Sequence, residues 1–202
     1  MKVGNESTNT DKMQQHQIAK SKAAGDALRH EDGDLMVCTD LIDQSRTMAL
    51  GRCSDHATLL EVLAANPDDK AMTSDDDPQL LLKMYFKEKV NISSVSLRFS
   101  RPPEGKDDGG GTYSKPRLVK IYVNMGDLDF VDVDSASPSA QFVVDNVDAT
   151  EAKIACAGHR FHRLESLQIF VEEALDEEAT RSFLNRVSIV GHQAQSYHAQ
   201  YA

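Results

Sequence analysis

Between Leu80 and Phe86 the chain alternates apolar residues at a period of two, and no other stretch limits the fold as tightly. Leu80, Leu82, Met84 and Phe86 share one parity, whereas Leu81, Lys83 and Tyr85 share the other. Successive side chains of a strand point to opposite faces, so the first set is expected to face a core. Ser74-Asp75-Asp76-Asp77-Pro78-Gln79 comes immediately before it. Asp side chains bond nearby backbone amides, and Pro78 fixes its own φ and lacks a donor. A solvated turn should therefore feed a strand that starts after Pro78. The charged Lys87-Glu88-Lys89 closes the apolar run.

Further strands are expected downstream. Val95, Leu97 and Phe99 alternate in the parity opposite to Val90 and Ile92, which predicts a bulge or a turn near Ser93-Ser94. The Pro- and Gly-rich run from Arg101 to Gly111 reads as a long connection. Arg117 to Met125 resumes strand character, with Val119, Ile121, Val123 and Met125 on one face. Gly126 to Ser139 is turn-rich, with Asp127, Asp129, Asp132 and Asp134, and Gln141–Val144 and Lys153–Cys156 read as short strands. Ser166–Val171 is a strong strand followed by an acidic loop, and the last strand carries Phe183, Val187 and Ile189. Ser54-Asp55 offers capping oxygens for a short helix through Leu59, Leu60, Val62 and Leu63 that stops at Asn66-Pro67. The expected class is all-β, an antiparallel sandwich with short helical segments.

Residues 1–34 are polar and lack aromatics, and are expected to be a disordered extension. Residues 35–191 form the expected domain and 192–202 a flexible tail. A core of roughly 150 residues buries about two-thirds of its unfolded surface, so neither a disulfide nor a metal is required for stability. The net charge of -10 and pI of about 5.1 argue against nucleic acid and anionic membranes as partners. No apolar window is long enough to span a bilayer, and Met1–His16 lacks the core of a secretory signal. A monomer in the cytoplasm, with the nucleus as a second compartment, is the expectation. The cysteines Cys38, Cys53 and Cys156 form no C-x-x-C pair, so they read as small buried thiols.

Five stretches carry a family resemblance: Ser74-Asp75-Asp76-Asp77-Pro78-Gln79-Leu80-Leu81, the segment Lys115–Asn124, Leu128-Asp129-Phe130, the segment Phe161–Val171, and Arg186-Val187-Ser188-Ile189-Val190-Gly191. In this order and spacing they resemble the PITH domain, the C-terminal module of thioredoxin-like proteasome-interacting proteins. The resemblance spans residues 35–191. It implies a jelly-roll sandwich related to galactose-binding-like and anaphase-promoting-complex DOC-type domains. It also implies a non-catalytic module that docks on the proteasome regulatory particle. Cys53 is followed by Ser54-Asp55 where the family often carries Cys-Leu-Asn. No thioredoxin domain precedes the matching stretch here, so the stand-alone type is expected.

The candidate contact residues follow from this reading. Asp75, Asp76 and Asp77 suit either a cation or a basic partner. Calcium needs about six to eight oxygens from several segments, and the EF-hand spacing is missing, so a solvated turn or docking surface is preferred. Asp127 with Asp129 is judged in the same way. His159 and His162 read as surface or structural histidines. His192, Tyr197, His198 and Tyr201 sit in the tail, where aromatics and imidazoles suit insertion into a partner's groove or a ligand to a partner's metal. Tyr113 is the aromatic of the long Arg101–Pro116 loop. No cofactor, metal site or catalytic residue is expected: there is no G-x-S-x-G elbow, and Gly109-Gly110-Gly111 lacks the Lys-Ser/Thr of a phosphate loop. Two other readings stay open. One is a sugar-binding sandwich with structural calcium, which the absence of Trp weakens. The other is a thiol-dependent redox role.

Overall fold

The computed structural model describes residues 36–64, 70–103 and 112–194. The period-two run opens β4, a continuous strand of 19 residues from Leu80 to Arg98 around which the other strands assemble. On its first half β4 pairs with β2 (Met48–Leu50) on one side and β9 (Leu164–Ala174) on the other. β9 continues to β6 (Pro116–Val123), and β6 to the outer strand β7 (Ala140–Val143). The second half of β4 pairs with β11 (Arg186–Gln193) and β8 (Glu151–Ala155), and β11 also takes β1 (Met36–Val37). A small sheet of β3 (Met72–Thr73), β10 (Arg181–Leu184) and β5 (Tyr113–Ser114) completes the structure. All these pairs are antiparallel except β5 with β10.

One long strand serves both halves because it changes parity. Val190 faces Ser94 and Gly191 faces Ile92, leaving Ser93 as the extra residue of a bulge. The even-numbered residues Leu80, Leu82, Met84, Val90 and Ile92 point into the main core before the bulge, and the odd-numbered Val95, Leu97 and Phe99 after it. Val119 and Ile121 of β6, Leu167, Ile169 and Val171 of β9, and Val187 and Ile189 of β11 meet them there. The result is the sandwich expected from the alternation.

The opposite parity is also covered. Leu81, Tyr122 and Phe170 form a second cluster with Leu128 and Val133, laid over the outer face of β4, β9 and β6. This cover corrects two expectations. The Gly126–Ser139 stretch is not only turns: it contains α2 (Phe130–Ser135), whose first turn is held by a capping box between Asp129 and Asp132. Met125 does not continue the inward face of β6. Asn124 takes a left-handed φ of 51° and ends the strand, and Met125 packs against the outer cluster. Helix α1 (Leu59–Leu63) forms where expected, but its cap is Thr58 and not Ser54-Asp55. At the far end β11 runs to Gln193, two residues beyond Gly191, and Ala194 is buried with its amide on the Lys89 carbonyl. Among the described residues no helix is long and apolar enough to cross a membrane.

Candidate functional site

Two polar clefts open on this frame. The first is built on the Arg52–Ala57 loop, which the chain locks from within. Arg52 Nη1 donates to the carbonyls of Cys53 (2.5 Å) and His56 (2.9 Å). The amides of Cys53 and Ala57 bond the carbonyls of Thr73 and Ala71. His56 Nδ1 lies 2.8 Å from Thr73 Oγ1, and Tyr113 meets the imidazole edge-on at 5.9 Å between centroids. The opposite wall hangs on Asn185, which is only 2% exposed. Its Oδ1 accepts from the Arg101 amide at 3.0 Å, and its Nδ2 donates to the carbonyls of Arg101 (2.8 Å) and Lys70 (3.3 Å). Between the walls lies a cleft of about 480 Å³ with Asp55, Glu61, Lys70 and Arg101 at its polar positions and Ala57, Ala71, Pro102 and Pro103 as apolar surface.

Glu61 links this cleft to α1. Its carboxylate accepts from Lys70 Nζ (2.5 Å) and from the Thr58 amide (2.8 Å), while its own amide donates to Thr58 Oγ1. The Lys70 ammonium, then the Thr58 amide and hydroxyl, hold the Glu61 carboxyl at about 2. The cleft thus carries fixed charges of both signs. His56 and Thr73 are not a nucleophile–base pair open to substrate, because Thr73 is fully buried.

The second cleft, about 560 Å³, lies at the turn end of β6 between Tyr85, Lys87, Lys89, Asn124, Asp127 and Glu165. Arg46 covers a face of the Tyr85 ring, its guanidinium carbon 4.1 Å from the centroid. Lys89 pairs with Glu165 at 2.8 Å, and Lys87 Nζ donates to the Asp40 carbonyl at 3.2 Å. The Asp127 carboxylate takes an ion pair from Lys83 and lies 3.4 Å from the Tyr85 hydroxyl.

The residues singled out in the sequence fall elsewhere. Asp75, Asp76 and Asp77 are exposed at the entrance to β4. The Asp77 carboxylate accepts from the Gln79 amide at 2.8 Å, the Asp75 amide donates to the Gly51 carbonyl, and Asp75 Oδ1 lies 3.9 Å from Arg181 Nη2. Asp127 and Asp129 do not converge on a shared centre: the first pairs with Lys83 and the second caps α2. No group of three His, Cys, Asp or Glu among the described residues is arranged to hold a metal. Tyr113, expected in the long loop, is instead a half-buried residue of β5. His192 is not in an unpacked tail: it sits in β11, with Nε2 3.1 Å from Asn91 Nδ2, because the strand outlasts its glycine. Tyr197, His198 and Tyr201 lie outside the described residues. His159 and His162 are exposed at a 3-10 turn. Cys53 and Cys156 are buried free thiols, and burial pushes the Cys156 thiol up to about 11, which leaves it protonated and unreactive at neutral pH. The sequence reading missed Asn185 and Arg52. The signal for Asn185 was an amide that, with Arg186, interrupts the apolar residues between Leu184 and Val187.

The mainly β sandwich has the jelly-roll fold of galactose-binding-like domains, as its structural neighbours show. Among solved structures the chain is similar to the family 32 CBM from C. perfringens NanJ in complex with galactose, at 8% identity and a TM-score of 0.52, covering 77% of this chain and 98% of that one. It is similar to the lectin binding domain of Lectinolysin (a His 62 mutant complexed with Lewis b), at 9% identity and TM-score 0.50, over 80% and 100% of the two chains. A third, CpGH89CBM32-5 from Clostridium perfringens in complex with GalNAc-beta-1,3-galactose, gives 7% identity and TM-score 0.50 over 76% and 97%. The chain belongs to the PITH domain family, whose model matches residues 29–201. A comparison with curated proteins finds no match. Family and fold together support a binding module.

Proposed function

We propose that the chain is a non-enzymatic protein-interaction module that docks on the proteasome regulatory particle or another large intracellular assembly. The observation that carries this reading is the Asn185–Arg101 wall of the first cleft. A wall whose backbone is tied by Asn185 and which carries charges of both signs suits recognition of a folded protein surface, because the tied backbone loses little entropy on docking. The exposed Asp75–Asp77 turn extends the candidate contact surface, and Tyr197 to Tyr201, outside the described residues, are further candidates for contact. The structural neighbours named for galactose and Lewis b raise sugar binding as a second reading. Sugar sites usually stack the sugar on an exposed aromatic; of the aromatics lining the two clefts, Phe86 is buried and Arg46 occupies one face of the half-buried Tyr85.

Co-sedimentation of the full chain with purified regulatory particle at low salt tests the proposal. Binding is expected, and charge reversal at the exposed Asp55 should weaken it without lowering the melting temperature. Absence of binding, together with a positive glycan array, would reverse the order of the two readings.

A further inference from the structure

β7 is the outer strand of the large sheet and pairs, among the described residues, only with β6. Val144 donates its amide to Arg117, and the register sets Val143 opposite Leu118 and Gln141 opposite Lys120. In an antiparallel ladder alternate residues bond the neighbour, so Gln141 and Val143 turn their N–H and C=O groups outward. Such an edge is a template for another strand, and sheets usually blunt it with lysine, proline or a bulge. Ala140-Gln141-Phe142-Val143 is short, four residues, but carries no lysine, proline or register shift. Val143 at the end of the strand is 50% exposed, and Val147 in the loop after it 71%.

Charge identifies the occupant. The cations beside this edge are already engaged: Lys115 with the carbonyls of Val147 and Ala149, Arg117 with Glu173, and Lys120 with Glu172. Asp145 and Asp148 stand exposed just past the strand, and no ion pair is made to either among the described residues. A second copy of this chain also carries a net charge of -10, which opposes self-pairing at this edge. We infer that the β7 edge accepts an extended peptide bearing basic residues, added as a further strand by main-chain hydrogen bonds. This surface is independent of both clefts.

Backbone NMR with amide exchange on the full chain tests it, using as probes a short peptide alternating lysine and valine and its glutamate counterpart. The lysine peptide should protect the Gln141 and Val143 amides saturably, and the glutamate peptide should not. Val143→Pro removes one outward donor, which an edge strand tolerates, and should weaken binding by at least about tenfold. Asp145→Lys with Asp148→Lys should do the same and leaves the ladder to β6 untouched. Protection at other residues only, no binding, or indifference to both variants would overturn the inference. So would amides already protected in the free chain, which would mean that the chain covers its own edge.

Discussion

Lys83 is a buried residue of the central strand whose ion-pair partner, Asp127, stands in solvent: their side chains are 5% and 81% exposed. The lysine belongs to the outer face of β4, opposite Gln168 of β9, and the segment after β6 closes over it. Gln168 Nε2 donates to the Gly126 carbonyl at 2.7 Å and Ser166 Oγ to that of Met125 at 3.2 Å. The pair therefore latches residues 125–128 onto the sheet.

Removing only the carboxylate should be worse than removing both charges. Asp127→Ala leaves an ammonium with poor solvation beneath the segment, and the melting temperature should fall by several degrees. Adding Lys83→Met should recover most of that loss, because the methionine fills the space without a charge to desolvate. Calorimetry of the two single variants and the double variant checks the coupling. Strictly additive losses would contradict it.

The acid limb of stability should report Glu61. Its carboxyl is held at about 2 against an ordinary 4.5, first by Lys70 and then by Thr58. A depressed carboxylate stabilises fully above its unfolded pKa and loses that contribution as pH falls through the folded value. The difference in melting temperature between wild type and Glu61→Gln should therefore be constant at neutral pH. It should shrink between about 4.5 and 2. Asp127, lowered by Lys83, adds to the same limb.

Gly191 sits where β11 crosses the bulge of β4. A Cβ there would lie 2.1 Å from the Asn91 carbonyl oxygen and 3.0 Å from Ile92 Cα, both backbone atoms that cannot swing aside. Gly191→Ala should cost about 1–3 kcal/mol or more, read as a lower urea midpoint.

Asn185→Ala removes three hydrogen bonds from a buried position. Leaving those backbone groups unsatisfied should cost about 1–3 kcal/mol. The Arg101 amide should lose its exchange protection while the β4 amides keep theirs. That separation would show that the amide positions the cleft wall.

Cys156 should resist thiol reagents in the native chain at neutral pH and react on unfolding, since its thiol is raised to about 11 by burial. Fast native reaction at Cys156 would revive a redox role.

Strand parity was legible because it is a local property. Leu80 to Phe86, the Ser93-Ser94 parity change and the Ser166–Val171 run each fall in the structure as their spacing predicts, since a pleated strand must alternate its side chains. The solvated Asp75–Asp77 turn was legible for the same reason: an Asp carboxylate bonds an amide two residues on. Helix α2 was not, because Phe130–Ser135 is short, carries three acidic or hydroxyl residues and shows only one buried position, Val133. It exists through packing on Tyr122 and Phe170, which come from strands apart in sequence.

What the sequence determined by itself is therefore the class of fold, the inward and outward faces of its main strands, and membership of a family. Only the tertiary structure decided which polar residues meet: Asn185 with Arg101, Lys83 with Asp127, and Arg46 with Tyr85. Alternation is written in neighbouring residues. A cleft is written in hydrogen bonds between residues tens of positions apart, whose partners no local pattern names.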